Sequence, residues 1–511
     1  MKNLLQTFST SNYFLPGLRH EGSASGKIHK IIVISYVVLT TILLSRCSSA
    51  EVTYPTAVGP VPTENQLAWH RMEMNAFIHF TTNTFTDLEW GYGDEKPEIF
   101  NPTDFNPEQW VEILKKAGFK GVVLTCKHHD GFCLWPSQLT AHSVKNSSWR
   151  NGKGNVVKDV HDACKKYGLK FGIYISPWDR NHAEYGKPAY VEYYRNQLKE
   201  LFAFCSPVFE IWFDGANGGT GYYGGAREKR QINNKTYYEW DKTIEMIRKA
   251  EPNAILFSDA GPDIRWCGNE KGFVGETNWN AVRADTLHPG MPIDRRILNS
   301  GSEDGNHWIP AEVDVSIRQG WFYHASQDSL VKTPERLFEI YLTSVGRGAN
   351  LLLNVPPNRM GIIHENDVKA LTEWRKLLDE TFSNDFALHK KVRAASCRGR
   401  SKLFSPSNIT DADPETYWAT DDGVTSGYLE IDLKAKKMVS YILIQEYIRL
   451  GQRVKNFTVD AWTGKQWKQV GAATTIGYKR IVKIEPVETE KVRVYINDSK
   501  ACPLISNVEI Y

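Results

Sequence analysis

The 511-residue chain lacks several patterns that would assign it to a familiar class. Its eight cysteines include no CxxC pair and no metal-type spacing, which argues against a zinc site or a dense disulfide framework. Basic and acidic residues nearly balance, 62 against 59, and no long basic stretch occurs, so the charge needed to hold nucleic acid is missing. No glycine fingerprint follows the first predicted strand, which disfavours an open doubly wound sheet. What remains is an aromatic-rich chain, long enough for two domains.

The first 50 residues have the pattern of an export signal. Basic residues precede an apolar run, 31–44, which is shorter than the roughly 20 residues that a membrane-spanning helix needs. Cleavage after Ala50 would release a periplasmic protein, whereas cleavage before Cys47 would leave a surface-associated lipoprotein, a case that Arg46 matches poorly. We therefore expect an exported protein without a membrane span, with a lipid anchor at Cys47 as the alternative.

Helical and strand patterns alternate between about residues 65 and 360. The strands are predicted at 75–80, 121–126, 171–176, 209–214, 254–258 and 350–355. Near-continuous apolar strands alternating with amphipathic helices indicate a parallel sheet covered by helices, and the number of units favours an eightfold barrel. We predict an α/β fold, a (β/α)8 TIM-type barrel over 51–384 that includes a trailing helix at about 365–382.

The pattern changes in residues 385–511. Short apolar runs alternate there with turn residues and show no helical period, which is typical of an all-β sandwich. Cys397 and Cys502 lie near the two ends of this region. They could form a disulfide in an oxidising compartment, although sequence cannot set the distance between them.

Polar and aromatic residues follow the predicted barrel strands, at the end where such barrels carry their chemistry. Asp214 ends the fourth strand, directly before a glycine-rich loop, and could be either a nucleophile or a carboxylate that caps a turn. The other strand ends and their loops carry His79, Glu89, Trp90, His128, His129 and Trp178. A single histidine is usually structural, but several histidines, tryptophans and carboxylates at one rim favour a site.

Two ligand classes could use this rim. A metal would need its three histidines, but the adjacent His128 and His129 on extended chain point in opposite directions. A metal-free sugar site is the better fit, because imidazoles and carboxylates can bind ring hydroxyls while Trp90, Trp178 or Trp212 packs on the apolar face of the sugar. We therefore predict no cofactor for catalysis.

Glycoside hydrolysis also requires a proton donor opposite the nucleophile. Glu270 is the candidate, on what we predict to be the loop after the fifth strand, and that role requires a raised pKa. Asp259, Asp263 and Glu276 are rivals that the pattern alone does not exclude.

Four motifs in order, 77–80, 89–91, 128–132 and 212–215, resemble those of the α-L-fucosidases of glycoside hydrolase family 29. The resemblance implies a retaining double displacement with Asp214 as the nucleophile. It also implies a fucose pocket lined by His79, Glu89, Trp90, His128, His129, Trp212 and Arg265. The rival functions are a glycan-binding protein without catalysis and another retaining exoglycosidase on the same barrel.

The stretch 263–270, together with 176–180, resembles the subgroup that prefers α-1,3/4-linked fucose on branched glycans. That resemblance implies Glu270 as the acid/base and fucosylated oligosaccharides or glycoconjugates as substrates. The segment Gly218 to Lys235 is longer than the motifs lead us to expect and could reshape the side that holds the leaving group.

The C-terminal region resembles the discoidin, or galactose-binding-like, sandwich through residues 408–420 and 507–511. The resemblance implies a structural calcium held by oxygens of Asp411, Asp413, Thr420 and Glu509. Whether this domain binds glycan or is a structural partner of the barrel stays open.

Overall fold

The computed structural model describes residues 52–285 and 287–511. The predicted export signal, with Cys47 and Ala50, lies outside these ranges. Within them, no helix has both the length and the apolar character needed to cross a membrane. Residues Tyr54–Tyr511 form one compact unit, which contains both the barrel and the C-terminal domain.

Eight parallel strands close into a barrel, as predicted. They are β1 (Met74–Ile78), β2 (Gly121–Lys127), β3 (Lys170–Ile175), β4 (Glu210–Trp212), β5 (Ile255–Ser258), β6 (Ile264–Trp266), β7 (Ala311–Ser316) and β8 (Asn350–Asn354). The barrel closes where β8 pairs with β1, with Met74 opposite Leu351. The six predicted strands lie within two residues of the observed ones, whereas β6 and β7 were not predicted.

Helices surround the barrel. They are α1 (Glu64–His70), α2 (Thr82–Thr86), α3 (Pro107–Lys116), α4 (Val156–Tyr167), α5 (Pro188–Cys205), α6 (Trp240–Ala250), α7 (Arg295–Ser300), α8 (Pro334–Thr343) and α9 (Glu365–Phe382). Local chemistry sets their ends: Asn106 caps α3 by accepting a hydrogen bond from Gln109 N at 3.0 Å, and Gly168 ends α4 in the left-handed conformation. Their apolar faces are buried against the strands, which fixes the strand ends in one rim.

The long segment after Asp214 folds as an antiparallel hairpin, Gly218–Gly221 with Glu228–Gln231. It lies against the end of β3, where Arg180 Nε donates to Thr220 O at 2.7 Å. A Cβ at Gly219 would come within 2.9 Å of the Trp178 ring, so this close approach requires glycine. The hairpin therefore forms part of the wall beside the strand ends. A second, smaller antiparallel sheet pairs Ala281–Val282 with His307–Trp308.

The C-terminal domain is all-β and antiparallel, as predicted. Its strands are β9 (Lys391–Ala394), β10 (Trp418–Ala419), β11 (Gly427–Glu446), β12 (Val454–Trp462), β13 (Trp467–Ala473), β14 (Arg480–Ser499) and β15 (Leu504–Ile510). Alternate residues of β11 and β14, such as Ile431 and Val494, face a buried apolar core. At its border with the barrel, Lys479 forms a partly buried ion pair with Glu73, the residue before β1.

The disulfide considered between Cys397 and Cys502 is not formed, and both side chains are free thiols. The sulfur of Cys397 lies 3.2 Å from the carbonyl oxygens of Ser401 and Phe404. Cys502 Sγ lies instead 3.1 Å from the guanidinium of Arg453. Each sulfur is thus engaged by its own neighbours.

Candidate active site

A cavity of about 190 Å³ opens at the carboxyl end of the barrel strands. Seven of the ten residues predicted for the barrel site line it: His79, Trp90, His128, His129, Trp212, Asp214 and Glu270. They come from loops after β1, β2, β4 and β6 and from β4 itself. The convergence follows from barrel closure, because the ends of all parallel strands meet around one axis.

Asp214 is held in a fixed orientation at the cavity wall. Its Oδ1 accepts a hydrogen bond from Ala216 N at 2.7 Å, and its Oδ2 accepts one from the Tyr174 hydroxyl at 3.1 Å. His129 Nε2 lies 3.8 Å from the same Oδ2. These contacts fix the orientation of the carboxyl group at the cavity wall, as a nucleophile requires.

Glu270 lines the cavity from a different loop than predicted. It follows β6, not the fifth strand, so two strand positions separate it from Asp214. The sequence pattern missed β6 because that strand has only three residues, with Arg265 at its centre. Burial in the cavity raises the pKa of Glu270. A hydrogen bond with the Trp321 side chain lowers this pKa, and the negative charge of Asp214 raises it.

Two further carboxyl groups line the cavity. Asp259, one of the sequence rivals, follows β5, and burial followed by the charge of Asp214 raises its pKa to about 7. Asp314 was not predicted; it lies on β7 and accepts a hydrogen bond from Trp266 Nε1 at 2.7 Å. Burial, then the charge of Glu270, raises the pKa of Asp314 well above its ordinary value.

The other two rivals for the acid role lie outside the cavity. Asp263 precedes β6, and both its oxygens lie 2.6 Å from Arg248 Nη2. Glu276 is exposed, 3.5 Å from Arg347 at the border with the C-terminal domain. Neither carboxylate is oriented toward a ligand in the barrel.

Burial favours the neutral form of the three histidines in the cavity. Burial lowers the pKa of His79 to about 3 and lowers the pKa values of His128 and His129 as well. The Ser176 hydroxyl donates to Trp178 O and lies 2.7 Å from Nδ1 of His129, so Nδ1 carries the hydrogen and Nε2 is left to accept one. Neutral imidazoles of this kind suit sugar hydroxyls better than they suit an anion.

Aromatic rings form much of the cavity surface. Trp212 stacks on Phe257 with 3.9 Å between ring centroids, and its Nε1 donates to Glu312 at 3.0 Å, so the indole is fixed on two sides. Rings that the sequence reasoning missed also line the cavity: Phe77, Tyr174, Trp266 and Trp321. The period-2 alternation along β1 and β3 was the available signal for the first two, since inward-facing residues alternate along a barrel strand.

Three predicted substrate-binding residues do not line the cavity. Glu89 accepts hydrogen bonds from Trp321 N at 2.7 Å and from His324 at 2.6 Å, so it holds the loop that carries the Trp321 ring. Trp178 lies behind the cavity wall, with its ring 5.1 Å from that of His129. Both residues support the cavity from outside it.

The prediction of Arg265 as a sugar ligand was wrong. The side chain is fully buried and points away from the cavity, because it alternates with the inward-facing Ile264 and Trp266 on β6. Its guanidinium donates to Leu298 O, Ile309 O, Asn278 Oδ1 and Trp279 O. Every polar edge of the group is thus used within the protein.

The metal alternatives fit poorly. Over the described ranges, no group of three or more His, Cys, Asp or Glu side chains could hold a metal ion. The four residues predicted to bind calcium use their oxygens in separate contacts. Thr420 donates to Val424 O, and Glu509 binds Asn507 and Tyr511. Asp411 accepts from Thr416 and from Asp413 N, and Asp413 Oδ1 accepts from Glu415 N at 2.9 Å. These residues do not fit a calcium site.

Two family models match the chain, alpha-L-fucosidase over residues 53–380 and the F5/8 type C domain over 391–508. Alpha-L-fucosidase 1 of Arabidopsis thaliana is 39% identical over 481 residues, 93% of this chain and 92% of that protein. A Ruminococcus gnavus GH29 fucosidase, solved in complex with fucose, matches with a TM-score of 0.80 at 33% identity over 90% of this chain and 96% of that one. A putative alpha-L-fucosidase structure from Bacteroides thetaiotaomicron matches with a TM-score of 0.80 at 38% identity, covering 90% and 99%.

Proposed function

Since the chain belongs to the alpha-L-fucosidase family, glycoside hydrolase family 29, we propose that it removes terminal fucose from glycans by a retaining double displacement. Asp214 attacks the anomeric carbon and forms a fucosyl ester while the bond to the leaving oxygen breaks. Glu270 gives its proton to that oxygen, then takes one from the water that cleaves the ester. The observation that carries the proposal is that both carboxyl groups line one cavity.

The surroundings of the two carboxyl groups support different roles for them. Asp214 has a hydrogen-bond donor on each oxygen, which fixes its orientation, whereas the pKa of Glu270 is raised, which favours the protonated form that an acid needs. Asp259 is the weaker acid candidate because it follows β5, which pairs with the strand that precedes Asp214. Its carboxyl group lies close to Gly215, where a Cβ would be 1.9 Å from Asp259 Oδ2. That position is beside the nucleophile rather than across the cavity from it.

Fucosylated oligosaccharides or glycoconjugates are the proposed substrates. The small cavity accepts one terminal sugar, and its neutral histidines and tryptophan rings match the hydroxyl and apolar faces of a deoxy-sugar. We propose a preference for α-1,3/4 linkages, supported by Trp266 and Glu270, the two cavity residues within the stretch that resembles that subgroup.

Replacing Asp214 by Gly tests the nucleophile. The variant should lose turnover of an aryl α-L-fucoside, and added azide should restore leaving-group release with a β-fucosyl azide as product, because the small anion occupies the vacated side of the anomeric carbon. Full activity without azide would refute the assignment. Proton NMR of the first product formed by the wild type reads out retention or inversion directly.

Linkage preference is tested separately. Lewis-type trisaccharides and α-1,2-fucosyllactose are incubated in parallel and free fucose is quantified. Release from the Lewis-type substrates alone supports the proposed preference, and equal release from both contradicts it without affecting the catalytic assignment.

Export remains a proposal from residues 1–50 alone, which also set the proposed start of the barrel domain at residue 51. N-terminal sequencing and mass spectrometry of the mature protein distinguish cleavage after Ala50 from an acylated Cys47.

A further inference from the structure

The loop that carries Glu270 runs on into a stretch, residues 276–280, that lies against the C-terminal domain. Four side chains of that domain hydrogen-bond to this stretch: Gln452, Thr474, Thr475 and Arg480. All but Thr474 are less than a tenth exposed to solvent. The contact is therefore a buried polar interface, in which a lost partner leaves a group without water to replace it.

Gln452 and Thr475 bind the backbone of the stretch at Asn278 and Asn280. The Gln452 amide donates to Asn278 O at 3.0 Å and accepts from Asn280 N at 2.8 Å. The Thr475 hydroxyl accepts from Asn278 N at 2.9 Å. Both backbone groups of Asn278 are thus bound by the C-terminal domain.

The barrel holds the same residue from the opposite side. Arg265 Nη2 donates to Asn278 Oδ1 and to Trp279 O, each at 3.1 Å. Arg265 is followed on β6 by Trp266, whose ring lines the cavity, and Glu270 comes four residues later. Asn278 therefore connects the C-terminal domain to the strand from which the Glu270 loop departs.

Barrel contacts fix the rest of the loop. Cys267 N donates to Glu312 O at 3.0 Å and Val274 N to Thr343 O at 3.0 Å, so Glu270 lies between two anchored points. The second of these leads directly into the stretch held by Gln452 and Thr475. A short loop fixed at both ends is a suitable carrier for an acid whose position relative to the glycosidic oxygen must hold to a fraction of an ångström.

We propose that the C-terminal domain is a positioning element of the active site: through Gln452 and Thr475 it fixes the loop that presents Glu270 to the leaving oxygen. The inference rests on the proposed function, in which Glu270 is the acid/base. It assigns the domain a structural role in catalysis, whether or not the domain also binds glycan.

The test uses the full-length protein and aryl α-L-fucosides whose leaving groups differ in pKa. Thr475→Val removes the hydroxyl at nearly constant volume, and Thr475→Ser keeps it. We expect Thr475→Val to lose about 10-fold or more in kcat/KM on the least activated fucoside and less than about 2-fold on the most activated one, which needs little protonation. Thr475→Ser should behave as wild type. A uniform loss across leaving groups, or no loss, overturns the proposal.

Gln452→Ala is the second variant, compared with Gln469→Ala at an exposed position of β13. Only the former should reproduce the leaving-group dependence, so the proposal stays testable if Thr475→Val does not fold. Glu270→Gln distinguishes failure of the proposed acid from failure of the positioning role. If the activity lost in Glu270→Gln does not depend on the leaving group, the proposed acid is wrong. If it does depend on the leaving group, but the losses in Thr475→Val and Gln452→Ala do not, only the positioning role fails.

Discussion

The two ends of the barrel interior carry similar carboxyl groups in very different surroundings. Near the carboxyl end, Asp214 and Asp314 line a cavity that admits a ligand. Near the amino end, Glu210 and Glu312 lie on the same two strands but are fully buried. There Trp69 of α1 closes the barrel and donates to Glu210 at 3.2 Å.

Burial perturbs the carboxyl groups at both ends. It raises the pKa of Glu210 to about 7, and it likewise raises the pKa of Asp259 beside the cavity to about 7. A perturbed pKa therefore does not by itself identify a catalytic carboxylate in this barrel. The open end differs from the closed end in having a cavity that is lined by more than one carboxyl group.

Trp212 connects the two ends. Its ring lines the cavity, while its Nε1 donates to Glu312 in the closed layer below. Glu312 in the closed layer therefore helps to set the orientation of an indole that lines the cavity. We therefore expect substitutions at the two ends to affect catalysis and stability differently.

The largest effect is expected at the open end. Glu270→Gln should lower kcat/KM on a poorly activated fucoside by about 10²–10⁴-fold, the range of general acid catalysis. An acid acts only while protonated, so wild-type activity should fall as pH rises through the raised pKa of Glu270, and this fall should vanish in the variant. Rate profiles from pH 4 to 9 measure both effects. If Asp259→Asn removes that fall instead, the acid has been assigned to the wrong loop.

At the closed end we expect a smaller effect on catalysis. Glu312→Ala leaves the buried indole N–H of Trp212 without a partner, which should reduce the free energy of unfolding by about 1–3 kcal/mol. The released indole should raise KM more than it lowers kcat, because the role proposed for the ring is to pack on the sugar and not to transfer a proton. Glu312→Gln keeps an acceptor and is the matched control. Equal kinetics for the Ala and Gln variants would show that the two ends are independent.

The smallest effect on catalysis is expected for Glu210, whose replacement should change the pH dependence of stability. The pKa of Glu210 is raised in the folded protein from 4.5 to about 7, so the folded state binds the proton more tightly than the unfolded state does. The resulting stabilisation is complete below about pH 4.5 and is lost as pH rises through about 7. Glu210→Gln should flatten this dependence by up to about 3 kcal/mol, because a rise of one pKa unit is worth about 1.4 kcal/mol. Urea unfolding at pH 5 and pH 8 measures it, and an unchanged slope would contradict the buried state of this carboxyl.

Sequence reasoning succeeded where the inward and outward faces of a strand are both apolar. β2 reads as a continuous apolar run, so its position and the histidines after it were predictable. β7 carries Glu312 and Asp314 on its inward face, and these carboxylates hid a strand whose outward face, Val313 and Val315, is apolar. The missing strands displaced Glu270 by one position in the barrel and left Asp314 unassigned.

Contacts between distant segments were beyond the sequence pattern. Nothing local to Arg265 distinguishes a guanidinium that binds sugar from one that binds four backbone and side-chain oxygens of the protein. The same holds for the calcium ligands expected in the C-terminal domain, whose oxygens hydrogen-bond to neighbouring residues of the protein instead. The residue types indicated which side chains could bind a sugar or a metal, but their contacts depend on how distant segments pack together.

The partly buried Lys479–Glu73 ion pair ties the C-terminal domain to the residue before the first barrel strand, within one compact unit. A chimera in which a foreign domain replaced the native one would leave the Glu73 carboxylate without its partner in a site that is mostly withdrawn from solvent, at a cost in folding free energy. Engineers seeking new targeting functions should therefore fuse them beyond Tyr511 and keep the native domain in place.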